Sequence, residues 1–198
     1  MDDDQTFRII LIAIMAIVLP IALYHRIRSQ STREPLDRRQ EGVFILATLR
    51  PIGILLWAAV FAYMINPRAM AWSSMLLPSE IRWIGVALAV IAGVALTWTL
   101  RSIGRNLTDT VVTRRAHTLV IHGPYRWVRH PFYDCVALLM LAVALMTSNW
   151  AILFGGAAVL ALLVLRTSKE EANLVARFGE PYRTYMRSTG RFFPRRRA

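Results

Sequence analysis

Two short polar clusters in an otherwise apolar chain carry the residue types that do chemistry. The first, Gly123 to Tyr133, sets Tyr125, Arg126, Arg129, His130 and Tyr133 around Pro124 and Pro131, just where an apolar run begins at Phe132. Lipid-facing helices need none of these groups, and burying them without partners is costly. Gly123-Pro124 enforces a turn and Pro131 stiffens the segment, so the side chains of Tyr125, His130 and Tyr133 are expected to converge. The plainer account makes Arg129 and Tyr133 interfacial anchors at a helix entrance, which leaves the crowding unexplained. The second cluster is Arg166-Thr167-Ser168-Lys169-Glu170-Glu171, followed by Leu174, Phe178, Tyr182 and Tyr185. Arg166 and Glu170 are spaced i,i+4, a helical ion pair worth about 0.2–0.5 kcal/mol, though Arg before Glu is the weaker order. Two adjacent carboxylates at the end of an apolar run need cationic company. Leu174 and Phe178 read as packing.

The elements that position these clusters are membrane helices. The chain has 198 residues, 56% of them hydrophobic, and a net charge of +12. One domain fits that length. The charge would suggest nucleic acid in a soluble protein, but here the arginines lie between apolar runs, which reads as topological signalling and attraction to anionic lipid. Cys135 is the lone cysteine, and no Cys/His cluster has metal-binding spacing. Lys169 is the lone lysine. The first run begins with Asp2-Asp3-Asp4 where a signal peptide would be basic, so it reads as a retained span.

Nearly uncharged runs occur at about 9–24, 43–65, 84–100, 132–146 and 151–165. The second is long enough to cross a bilayer outright, and the first and third are long enough with their flanks. The last two are shorter and joined by Thr147 to Trp150, which predicts a tight helical hairpin. Five spans are expected, with four plus a re-entrant hairpin as the alternative. Pro20, Pro51 and Pro131 are expected near span ends. Arginines crowd 25–42, 101–131 and 166–198, whereas the other connections hold little beyond Arg68 and Arg82. That alternation predicts an N-terminus outside and a C-terminus in the cytosol. Both polar clusters then share the cytosolic face. The expected organisation is a three-span region over 1–100 and a core over 101–198 made of loop, hairpin and tail. The fold class is all-α, polytopic in the membrane, and a bacterial or archaeal plasma membrane is favoured over the endoplasmic reticulum.

The order of motifs resembles the isoprenylcysteine carboxyl methyltransferases and the related phospholipid methyltransferases. It runs His117-Thr118-Leu119-Val120, Gly123-Pro124-Tyr125, Arg129-His130-Pro131-Phe132-Tyr133, Arg166 with Glu170-Glu171, then Phe178-Gly179-Glu180 with Tyr182. The resemblance covers about His117 to Pro194. It implies an integral membrane enzyme that uses S-adenosylmethionine. It places the cofactor against His117, Thr118, Leu119, Val120, Tyr125, His130, Pro131, Phe132, Tyr133 and Glu170. It makes Arg166 the ligand of the acceptor's carboxylate, with Glu171 beside it, and gives Arg166 and Glu170 the catalytic roles. A family glutamine before His117 has no counterpart, Thr113 standing nearest. No glycine fingerprint of a soluble dinucleotide site is present. The acceptor expected is an isoprenylcysteine-like or other lipophilic carboxylate entering from the bilayer, with no metal and no nucleic acid involved. Methylation of a phospholipid amine or a small thiol is the alternative, in which Glu171 would serve as base. Outside that class stand a membrane lipid or sterol reductase and a non-enzymatic scaffold.

Overall fold

A computed structural model describes residues 3–30, 43–104 and 118–195. Six α-helices follow in order: α1 Asp3–Gln30, α2 Val43–Ile65, α3 Ser79–Ile103, α4 Pro131–Thr147, α5 Trp150–Phe178 and α6 Glu180–Ser188. Short 3-10 turns occupy Pro67–Ser73 and Gly123–Arg126. Among the described residues there are no strands, only isolated bridges at Ser74–Asn149 and Val128–Gly190. Four helices are long and apolar enough to cross a membrane, and α4 is apolar but shorter. The chain is an all-α polytopic membrane protein.

The five long apolar elements alternate in direction. The starts of α1, α3 and α5 meet the ends of α2 and α4 at one end of the bundle. That end is tied by polar groups reaching across helices. Buried Arg82 donates from Nε to the Met146 carbonyl at 3.0 Å and from Nη2 to the Tyr63 hydroxyl at 3.1 Å. It also pairs with Asp4 at 2.9 Å and lies 4.2 Å above the Phe7 ring. Arg82, counted as a loop arginine in the sequence, is thus a bolt through α1, α2, α3 and α4.

The hairpin is as tight as expected. Ser148 takes a left-handed conformation (φ 49°) to end α4, and Asn149 caps α5 by accepting from the Ile152 N–H at 3.1 Å. Asn149 Nδ2 donates to the Met70 carbonyl and to Ser73 Oγ, so the tip is fastened to the α2–α3 connection. The Met75 N–H donates to the Ser148 carbonyl at 2.6 Å.

Small residues let α3 and α4 approach closely. Gly85, Ala89, Ala92 and Leu96 are buried along one face of α3. A Cβ on Gly85 would lie 2.9 Å from the Ala142 carbonyl oxygen. Such seams are how membrane helices gain dispersion contact. α3, on the N-terminal side of the division expected at 100, therefore packs against the core it precedes.

The helix expected to emerge from the fifth span carrying Arg166 and Glu170 does so: α5 continues unbroken past its apolar run to Phe178, 29 residues or about 43 Å. α4, at 17 residues, spans only about 26 Å. One expectation is corrected. Pro20 and Pro51 lie inside α1 and α2, not at their ends, whereas Pro131 does open α4. An interior proline removes one ladder hydrogen bond and leaves the carbonyl four residues earlier without its donor.

Candidate active site

At the other end of the bundle the start of α4 and the end of α5 stand side by side. His130, at φ −122° and ψ 53°, leads into Pro131 at the first turn of α4. Proline there costs no hydrogen bond, since the first N–H groups of a helix have no partner within it. One turn on, the Tyr133 hydroxyl donates to Glu170 Oε2 at 2.8 Å. The His130 and Tyr133 rings stack 5.5 Å apart and 5° from parallel. The 3-10 turn Gly123–Arg126 starts from a left-handed Gly123 (φ 60°), pressed so near Ser102 that a Cβ would lie 2.3 Å from its Oγ. This turn buries Tyr125, whose backbone carbonyl accepts the Tyr185 hydroxyl at 2.5 Å.

Behind these residues lies an ionic node. Glu171 is 3% exposed, and its Oε1 accepts from Arg129 Nε at 2.8 Å and from His130 Nε2 at 3.2 Å. Its Oε2 pairs with Arg191. Arg129 also donates from Nη1 to the Met186 carbonyl at 3.2 Å and to the Thr189 carbonyl. The backbone continues the clamp: the Arg129 N–H donates to Gly190 O at 2.9 Å and the His130 N–H to Arg191 O at 3.1 Å. The stretch after α6 is thereby laid alongside residues 128–130 and held to α5.

In front lies a cavity of about 860 Å3. Its polar end is formed by Thr118, Tyr125, His130, Tyr133, Arg166 and Glu170, with Tyr182 and Tyr185 from α6. Its body is apolar and runs between α1, α2, α4 and α5 as far as Met15, Val60, Val143 and Ile152. Burial pushes the phenols of Tyr125, Tyr182 and Tyr185 well above the usual tyrosine range, so all three stay protonated.

Most of the residues singled out in the sequence come together here. Thr118, Leu119, Val120, Tyr125, His130, Phe132, Tyr133, Arg166 and Glu170 all line the one cavity. Pro131 is buried and shapes the α4 entrance without lining it. Glu171, expected beside the acceptor, faces away from the cavity into the ionic node. His117 lies outside the described residues, as does Thr113. Arg129 is no lipid anchor: its side chain is 9% exposed and holds the node together. Leu174 and Phe178, read as packing, form part of the apolar wall. Arg191 escaped notice because its partner is 20 residues upstream on a different element and no local spacing marks the pair.

The sequence pattern of the isoprenylcysteine carboxyl methyltransferase (ICMT) family matches residues 84–176. Over that stretch the chain is similar to the ICMT family. The stretch runs from early α3 through most of α5, and so contains Tyr125, His130, Tyr133, Arg166 and Glu170. Among solved structures, that of the eukaryotic intramembrane Ras methyltransferase ICMT aligns with a TM-score of 0.51 at 23% identity, covering 73% of this chain and 51% of that one. At that identity the likeness is one of fold. Two bacterial relatives are metal-resistance proteins. The cobalt-zinc-cadmium resistance protein CzcN of Cupriavidus metallidurans is 35% identical over 41% of this chain and 38% of its own. The nickel-cobalt-cadmium resistance protein NccN of Alcaligenes xylosoxydans xylosoxydans is 30% identical over 57% of this chain and 53% of its own. YpbQ of Bacillus subtilis, an uncharacterized protein, is 36% identical over 32% of this chain and 39% of its own. The chain thus spans about half or less of the length of the ICMT structure and of these relatives.

Proposed function

We propose that this protein is an intramembrane methyltransferase that uses S-adenosylmethionine to methylate the carboxylate of a lipophilic acceptor. The observation that carries the reading is the single cavity that joins Arg166, Glu170, Tyr133 and His130 at one end to an apolar shaft at the other. A polar head and an apolar tail on one acceptor would match those two environments. Its volume falls within the roughly 300–1,000 Å3 usual for small-molecule sites.

The residues present fit the donor. Glu170 is a carboxylate held in place by the Tyr133 hydroxyl, suited to an amino group or a ribose. The tyrosine rings offer π-faces, which attract a sulfonium cation. When bound, S-adenosylmethionine supplies an electrophilic methyl group. What this chain's own residues do is hold, orient and desolvate. Arg166, buried on α5 one turn before Glu170, would grip the acceptor carboxylate through its fork. A carboxylate is already deprotonated at neutral pH, so the site needs no general base. Amine or thiol acceptors must shed a proton. The group expected to take it, Glu171, has both oxygens engaged by Arg129, His130 and Arg191. That favours the carboxylate. Exposed Arg26, Arg28, Arg101 and Arg126 at this end support a cytosolic placement beside anionic headgroups.

The test is binding of S-adenosylhomocysteine to purified protein by calorimetry, beside tritiated methyl transfer from S-adenosylmethionine to lipophilic S-substituted cysteine carboxylates. Glu170→Ala should abolish donor binding, and His130→Ala should weaken it while leaving it measurable. Donor binding without labelling of any such acceptor would sink carboxyl methylation; equal binding by wild type and both variants would sink the site.

A further inference from the structure

Glu171 touches nothing in the cavity, yet it is among the most buried charged side chains described and gathers three cationic or potentially cationic partners. An ionised carboxylate can only accept hydrogen bonds, so the His130 nitrogen 3.2 Å from Oε1 must carry a hydrogen. This fixes the ring: Nε2 is the donor, and in the neutral imidazole Nδ1 is the acceptor. The ring so held is the face on which Tyr133 stacks, and the Tyr133 hydroxyl in turn holds Glu170. Two neighbouring carboxylates on α5 are therefore linked through α4: Glu171 to His130, His130 to Tyr133, Tyr133 to Glu170. Only the last three line the cavity.

We infer that Glu171 is the positioning residue of the donor site, acting through His130 rather than on any reactant. The inference rests on the functional reading above for what the site binds, but not for how Glu171 holds His130. Its other oxygen performs the companion task of fastening Arg191, and so the segment after α6, to the same point. A purely structural Glu171 would lower stability and leave the bound geometry of the rest alone. A positioning Glu171 must instead be energetically coupled to His130, because both act on one ring orientation.

A double-mutant cycle on S-adenosylhomocysteine binding reads that coupling. Glu171→Gln should raise the dissociation constant roughly tenfold in the wild-type background and less than about twofold when His130 is already alanine, a coupling within the range seen for contacting residues. Independent, multiplying losses would overturn the inference. Should Glu171→Gln fail to fold, Glu171→Asp takes its place: it keeps the charge for the arginines and draws the oxygen back from His130, and the same coupling is expected. A second arm needs no variant of Glu171. In 15N NMR of histidine-labelled protein, with the His130 signal assigned by its loss in His130→Ala, the Nε2–H form is expected. An Nδ1–H form would overturn the inference. If the wild type binds no S-adenosylhomocysteine, the functional reading falls, and the NMR arm alone decides whether Glu171 sets the ring.

Discussion

Tyr133→Phe removes one oxygen and tests the site with little disturbance elsewhere. The ring that stacks on His130 is retained, and Tyr133 is 6% exposed, so the packed volume hardly changes. What is lost is the 2.8 Å hydrogen bond to Glu170 Oε2. Hydrogen bonds to charged groups contribute about 1.5–3 kcal/mol. Glu170 is half-buried at the cavity wall, so water can replace part of that, leaving about 1–2 kcal/mol. If the lost constraint is one that a bound donor must restore, the dissociation constant for S-adenosylhomocysteine rises about 5- to 30-fold. Calorimetry on the variant gives that number, and a thermal melt alongside checks that the fold is intact. An unchanged melt with binding within twofold of wild type would refute the reasoning. Glu170 would then not need Tyr133 to be in place, and the link from α4 to α5 would be a packing detail.

Other expectations concern the frame. Gly85→Val should destabilise the protein by about 1–3 kcal/mol, because its Cβ would meet the Ala142 carbonyl at 2.9 Å and α3 would have to move off α4; a melt in detergent reads it. Arg82→Met should lower stability by about 2–4 kcal/mol, since the Met146 carbonyl and Tyr63 hydroxyl lose a buried donor while half-exposed Asp4 turns to water; donor binding at the far end should survive in the fraction that folds.

The spans were legible because a bilayer demands long apolar runs, and arginine counting then placed both polar clusters at one end. The site was legible as two halves, since Tyr125, His130, Tyr133, Arg166 and Glu170 are the types a polar cavity in lipid must explain. What escaped was the role of each charge. Arg129 and Arg82 look like ordinary loop arginines until their partners, 42 residues away at Glu171 and 64 at Met146, are brought against them. Glu171 was assigned by its neighbour Glu170, but adjacent helical residues point about 100° apart, so one faces the cavity and the other the node.

The prolines divide the cavity walls into two mechanical kinds. α1 carries Pro20 in its interior and at the cavity surface, and α2 carries Pro51 in its interior. α3, α4 and α5 have no proline past their first turn. Those last three are the helices of the ICMT-like stretch, and α4 and α5 bear Tyr133, Arg166 and Glu170. Bending is cheapest where a ladder bond is already missing. The shaft is therefore bounded by a stiff side that keeps Tyr133, Arg166 and Glu170 in register and a compliant side that can take up differences in bulk. In the proposed methyltransferase, sequence drift in α1 and α2 would retune which acceptor tails fit without disturbing the groups opposite.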